Sequence, residues 1–141
     1  MFIGKLFDST TLTVLKKGIE GTNLRHEAIS NNIANVDTPQ YQRAVVDFET
    51  QLRRALRGQD VTGQRSHPAH FVIGGPKEVA QVTARIDIDD ETRFRPDRNN
   101  VNIDQEMANL AQNTARNLQF TELLTRRYAG MRTVIMSAAQ T

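Results

Sequence analysis

The sequence predicts a mainly α-helical protein. Long N- and C-terminal helices pair as an antiparallel coiled coil, with a short helix and a small irregular or β-hairpin insert between them. Three observations carry this expectation. Apolar residues recur at spacings of three and four near both ends of the chain, as on a helix with one apolar face. The middle is polar and punctuated by Gly58, Gly63, Pro68, Gly74, Gly75, Pro76 and Pro96, residues that break regular elements. Between the first repeat and this middle stands Asn35-Val36-Asp37-Thr38-Pro39-Gln40-Tyr41, a stretch that ends one helix and directs the chain onward.

The first repeat runs from about Ser9 to Asn35 through Leu12, Leu15, Ile19, Thr22, His26, Ile29, Ile33 and Val36, an a/d-like seam of about three heptads. Ser9 or Thr10 is placed to cap its start. Thr22 and His26 interrupt the seam with polar groups, His26 as a packed or register-setting residue rather than a base. Gly18 and Gly21 lie inside it. Each costs about 1 kcal/mol relative to Ala, which leaves either a slightly weak helix or close approach by a neighbouring backbone.

Pro39 stops the helix and holds Thr38 in an extended conformation. Asn35 and Asp37 tolerate a left-handed or side-chain-bonded helix end. Tyr41 brings a large ring with a polar tip, suited to pinning the emerging chain against the helix it has left. Val46 to Leu56 then follows an amphipathic pattern ending before Gly58, with Arg53, Arg54 and Arg57 on its solvated face. Farther on, Phe71-Val72-Ile73 and Val79 to Ile88 have strand character, and Gly74-Gly75-Pro76 is suited to turning a hairpin between them. A lone hairpin is marginal in water, so this section is either mobile or held from outside. Asp87, Asp89, Asp90 and Glu91 are expected at a solvated loop end.

The last repeat is the longest. Ile103, Met107, Leu110, Thr114, Asn117, Thr121, Leu124, Tyr128, Met131, Ile135 and Ala138 keep the three-four spacing for about five heptads, a helix roughly 50 Å long. Asn102 and Gln105 resemble a capping box, and Asp104 and Glu106 suit the positive end of the helix dipole. Residues 1–57 thus hold the first helix, the turn and the short helix, 58–100 the insert, and 101–141 the last helix. Residues 1–41 and 101–141 together form one axial helical unit. Both helices carry more apolar residues than one seam uses, among them Val14, Leu24, Leu118 and Leu123. That surplus asks for neighbours from other chains.

Composition excludes several function classes. With 141 residues, 18 Lys and Arg against 16 Asp and Glu, and no cysteine, the chain is at most one domain, lacks a clustered basic footprint for nucleic acid, and has no thiol chemistry. His67-Pro68-Ala69-His70 lacks nearby carboxylates at ligand spacing. Gly74-Gly75-Pro76-Lys77 lacks the rest of a phosphate loop. Asp87, Asp89 and Asp90 lack the glycine and terminal Glu of a calcium loop. Ser9 and Ser30 have no base at hand. No catalytic, metal or cofactor residues are assigned, and the chain is read as a non-enzyme. Met1 to Phe7 does not read as a cleaved signal peptide, and no apolar window has the length to span a bilayer; alone, these features indicate a soluble cytoplasmic protein.

A resemblance changes that reading. Ile33-Ala34-Asn35-Val36-Asp37-Thr38-Pro39-Gln40-Tyr41 resembles the Ala-Asn-x-x-Thr-Pro-x-Tyr signature that closes the first helix of bacterial flagellar rod and hook proteins. Asn99 to Met107, Leu123 to Tyr128 followed by Met131 to Ile135, and Phe48-Glu49 with Leu52 are also similar to segments of a short rod member. The likeness covers both ends well and residues 58–98 poorly. It implies a structural subunit of the proximal rod that assembles helically through its terminal helices to transmit torque. It further implies type III export without a cleaved signal and a working place in the periplasmic basal body. The implied partners are other rod proteins, copies of itself, the FliE adaptor and the MS ring, with no nucleic acid and no membrane insertion. Leu12, Leu15, Ile19, Ile29, Ile33, Met107, Leu110, Leu124, Tyr128, Met131 and Ile135 would carry helix packing and assembly, and Asn35, Thr38, Pro39 and Tyr41 the turn. A stand-alone helical hairpin, or an export-associated adaptor binding one partner helix, is the rival reading. The family usually has glycine just before the Tyr; here Gln40 stands there, and a positive φ would strain it.

Overall fold

The computed structural model describes residues 9–57, 79–89 and 96–138. Helix α1 spans Thr10–Ala34, strand β1 Ala44–Val46, helix α2 Glu49–Arg57, strand β2 Ile86–Ile88 and helix α3 Ile103–Ala138, with a single 3-10 turn at Val79–Gln81. The terminal helices pack along one another and run antiparallel: Asn32 meets Glu106, Thr22 meets Asn113 and Asn117, and Gly18 meets Phe120. Ser9 occupies the cap position of α1 without a side-chain cap bond. At the other helix, Asn102 Oδ1 accepts the backbone N–H groups of Asp104 and Gln105 at 3.0 and 3.3 Å, as its capping role requires.

The expected seam is half realised. On α3 the row Leu110, Asn117, Leu124 and Met131 is buried or half-buried, but the alternate row sits one residue earlier, at Glu106, Asn113 and Phe120. Met107, Tyr128 and Ile135 therefore lie exposed, not in the protomer's own seam. On α1 the row Leu12, Leu15, Thr22 and Ile29 is buried, and the other inward positions are Gly18, Arg25 and Asn32 beside Ile19, His26 and Ile33. His26 is exposed, not packed. Ile19 and Ile33 are half-buried on the flank. Of these shifted inward positions, Gly18, Arg25, Asn32, Glu106 and Asn113 are glycine or polar, and Phe120 alone is apolar.

The glycines are sites of close approach, made by aromatic rings rather than by backbone. A Cβ on Gly18 would meet the far edge of the Phe120 ring at 2.9 Å, and one on Gly21 would meet the Phe48 ring at 2.4 Å. Phe48, Ala28 and Val46 form a buried cluster, with Leu24, Ala44 and Ala84 against it.

The expected helix from Val46 begins later. Val45 and Val46, β-branched and suited to an extended backbone, belong to β1. Thr50 N–H donates to Asp47 Oδ1 at 3.3 Å and Leu52 N–H to Phe48 O at 2.8 Å, which starts α2 at Glu49. Arg53, Arg54 and Arg57 are exposed. Among the described residues, the second expected strand pairs with a partner distant in sequence. β2 runs antiparallel to β1, with Ala44 opposite Ile88, Val45 opposite Asp87 and Val46 opposite Ile86. Val79–Gln81 is not a strand, and Phe71 to Pro76 lie outside the described residues. This short ribbon lies on α1, which supplies the apolar surface a lone pair lacks. Asp89 is no bare loop end: its carboxylate lies 3.6 Å from Arg43.

A candidate assembly framework at the helix junction

The chain leaves α1 through a junction held by side-chain amides. Asn35 Nδ2 donates to Asn31 O at 2.9 Å, and Thr38 Oγ1 donates to Asn35 Oδ1 at 3.2 Å. Asn35 has φ −107°, so its helix end is side-chain bonded, not left-handed. The left-handed residue is Gln40, at φ 65°; its N–H donates to Asp97 O at 3.0 Å, beside Arg98 at φ 68°. Asn99 completes the lock. Its Nδ2 lies within 3.0 Å of the carbonyl oxygens of Asn35, Val36 and Thr38, clasping the carbonyls of the helix exit in one side chain. Pro39 itself is exposed.

Asn32 is the centre of the next layer. Its Oδ1 accepts from Ala44 N–H at 2.8 Å and from the Tyr41 hydroxyl at 3.2 Å. Its Nδ2 donates to Ala44 O at 2.8 Å and to Glu106 Oε2 at 2.9 Å. Burial, and then the charge of Glu106, raise the Tyr41 phenol above its usual range, so Tyr41 stays a donor to Asn32. Glu106 is 1% exposed and its other oxygen accepts from Arg43 Nε at 2.8 Å. A buried carboxylate is tolerated only when paired and hydrogen-bonded, and here both conditions hold.

Three rungs, seven residues apart on each helix, cross the pair: Asn32 with Glu106, Arg25 beside Asn113 in one cleft, and Gly18 with Phe120. Polarity sets the register at one end, and size sets the spacing at the other. Between them Asn113 Nδ2 donates to Thr22 O, and Asn117 Nδ2 donates to the Thr22 hydroxyl, both at 2.8 Å. Arg25 donates to Val46 O at 2.7 Å, lies over the Phe48 ring at 5.0 Å and forks onto Glu49. Arg116 reaches the same carboxylate at 2.9 Å. Burial pushes the Glu49 carboxyl up, but the Arg25 hydrogen bonds and the charges of Arg25 and Arg116 prevail and hold it below its usual range.

Along α3 a second row faces outward. Ile103, Met107, Leu118, Tyr128 and Ile135 are exposed, and a shallow groove beside Tyr128 and Met136 is lined by Thr125, Ala129 and Thr133. No group of three or more His, Asp or Glu able to hold a metal occurs among the described residues, and none of the described helices is long and apolar enough to cross a membrane.

This architecture can be set beside known proteins. A family model described as "Flagella basal body rod protein" matches residues 22–42, the segment from Thr22 through the junction. The flagellar basal body rod protein FlgB of Borrelia hermsii is 34% identical over 118 residues, covering 80% of this chain and 86% of its own. The chain belongs to the FlgB family of flagellar basal body rod proteins. FlgB of Cereibacter sphaeroides is 32% identical over 111 residues, 79% of this chain and 82% of that one. FlgB of Bacillus subtilis is 26% identical over 127 residues, 90% and 94% respectively. This FlgB-family chain is a structural rod subunit of the flagellar basal body, in a family not known for enzymes, and it assembles with other rod proteins.

Of the residues singled out from sequence, the structure brings Asn35, Thr38 and Tyr41 together at the junction and buries Leu12, Leu15, Ile29 and Met131. Leu110 and Leu124 are half-buried, and Met107, Tyr128 and Ile135 stay outside. The residues missed are Arg25, Asn32, Arg43, Glu49, Asn99, Glu106 and Asn113. Their signal was faint: polar residues one position off an apolar row, and the paired asparagines at 31–32 and 99–100.

Proposed function

We propose that the subunit builds the proximal rod by helical assembly through its terminal helices, which act as an antiparallel coiled-coil unit transmitting torque. The exposed row of α3 carries this reading. Met107 is 53% exposed and Ile135 43%, while the protomer closes its own helix pair on Glu106, Asn113 and Phe120. A hydrophobic row left over after folding is surface held for neighbours. In this reading Leu12, Leu15, Ile19, Ile29, Ile33, Leu110, Leu124 and Met131 hold the helical unit together. Met107, Tyr128 and Ile135 contact adjacent subunits, and Asn35, Thr38, Pro39 and Tyr41 fix the angle at which the insert leaves the axis. The neighbours are other rod proteins, further copies, the FliE adaptor and the MS ring. The setting is periplasmic and reached by type III export without a cleaved signal.

The test replaces the resident gene with Met107→Asp and with Tyr128→Asp. Both purified variants should keep wild-type helicity and urea midpoint, while cells lose swimming and basal bodies lack a rod. Normal rods from both variants would overturn the assignment and favour a stand-alone hairpin that needs no such face.

A further inference from the structure

The two edges of the β1–β2 ribbon are treated differently. Asp89 N–H donates to Arg43 O at 2.9 Å, while the Asn100 side chain accepts from Arg43 N–H and donates to Asp89 O, so the backbone groups of this pair turn inward. Residues alternate along an antiparallel ladder, which turns the backbone groups of Ala44 outward on β1 and those of Ile86 and Ile88 outward on β2. The β1 edge is plugged, because Asn32 takes both backbone groups of Ala44 and Arg25 takes Val46 O. Among the described residues, nothing pairs with the outer edge of β2. Ile86 and Ile88 are 44% and 64% exposed, and neither Arg85 nor Asp87 has an ion-pair partner among the described residues.

We propose that this edge is a self-pairing surface, joining β2 of two free subunits antiparallel about a two-fold axis centred on Ile86. The outward phase makes Ile86 a hydrogen-bonding residue, so it pairs with Ile86 of the second copy through reciprocal backbone bonds. In that register Arg85 stands opposite Asp87 of the second copy, and Asp87 opposite its Arg85. Opposite charges placed directly across a strand pair attract, and like charges repel. The order basic, apolar, acidic is therefore its own complement when reversed, while the same charges discourage pairing with strands of other pattern. Ile86 and Ile88 of both copies then share one apolar face. The contact is isologous and closes on itself, so it cannot propagate into a filament. It belongs to the unincorporated subunit and is separate from the outer row of α3. Its few residues bury less than roughly 1,000 Å², which makes it a weak, transient contact.

The test is sedimentation of the full chain across a concentration series up to about 1 mM, the range where an interface of this size registers. The wild type should show a monomer–dimer equilibrium. Arg85→Asp alone and Asp87→Arg alone should each weaken it at least tenfold, and a 1:1 mixture of the two variants should restore a heterodimer, since each supplies the charge the other lacks. The double exchange Arg85→Asp with Asp87→Arg should dimerise like wild type. Amide exchange at Ile86 and Ile88 should slow with concentration while that of Asp87, already bonded to β1, does not change. A strictly monomeric chain would overturn the proposal. So would a dimer indifferent to the charge variants, or one abolished only by Met107→Asp.

Discussion

Asn32 hydrogen-bonds both the N–H and the C=O of Ala44, each at 2.8 Å, so a helix side chain occupies the place a third strand would take beside β1. The carboxamide has the donor and acceptor pair of a peptide group, and α1 holds it at the strand's level. The same amide group also meets Glu106 and Tyr41, tying the helix pair, the strand and the exit turn to one side chain.

Replacing Asn32 tests this tie. Asn32→Asp keeps the shape, removes the donor and places a second carboxylate against buried Glu106. It should destabilise by about 3 kcal/mol or more, as expected when buried groups lose partners and like charges meet. Asn32→Ala should cost somewhat less. Urea unfolding of the purified subunit measures both, and wild-type midpoints would show that the amide is dispensable.

The two glycines of α1 should respond differently to alanine. At Gly18 the new methyl meets the outer edge of the Phe120 ring at 2.9 Å, which a small ring shift relieves. The gain in helix propensity of about 1 kcal/mol should leave Gly18→Ala near neutral. At Gly21 it meets the base of the Phe48 ring at 2.4 Å, which cannot swing clear. Gly21→Ala should cost about 1–3 kcal/mol as overpacking does, and Phe48→Leu in the same chain should recover part of it. Thermal melts of the three variants decide.

Gln40 sits at φ 65° with nothing about its side chain that favours it. Left-handed geometry costs a residue with a Cβ roughly 1–2 kcal/mol, and glycine's extra freedom in the unfolded chain returns roughly half of that. Gln40→Gly should therefore stabilise by up to about 1 kcal/mol, whereas Gln40→Ala should not. A lower melting temperature for the glycine variant would contradict the strained backbone.

Glu49 gives a pH signature. Its carboxyl is held below its ordinary value of 4.5, so the folded state binds that proton less readily than the unfolded chain. The resulting stability is fully present above the unfolded value and fades as pH falls through the lower folded value. Urea midpoints should be flat near neutrality and decline below about pH 4.3. Glu49→Gln should remove part of that decline and lower the neutral-pH midpoint. An unchanged acid limb in the variant would mean that Arg25 and Arg116 do not govern the titration.

Helix positions, the cap at Asn102 and the break at Pro39 were legible because each depends on local chemistry. One row of each helix face was legible too, where apolar residues mark it. The other row was not, since Glu106 and Asn32 are good interior residues only in each other's presence, and such pairing is invisible along a single stretch. The short strands failed for the same reason: β2 finds its partner some forty residues away, whereas periodicity reports only on neighbours. Phe120 and Gly18 show the remaining limit. A glycine advertises closeness without naming what comes close.

The one-residue offset between the inner and outer rows of α3 has an evolutionary consequence. In the proposed assembly Glu106 and Met107, or Asn113 and Thr114, adjacent in sequence, would serve different ends, one the integrity of the subunit and the other its contacts with neighbours. On that reading, substitutions in the outer row would alter contacts without disturbing the fold. A subunit arranged this way can diverge in its contacts while its own architecture stays fixed.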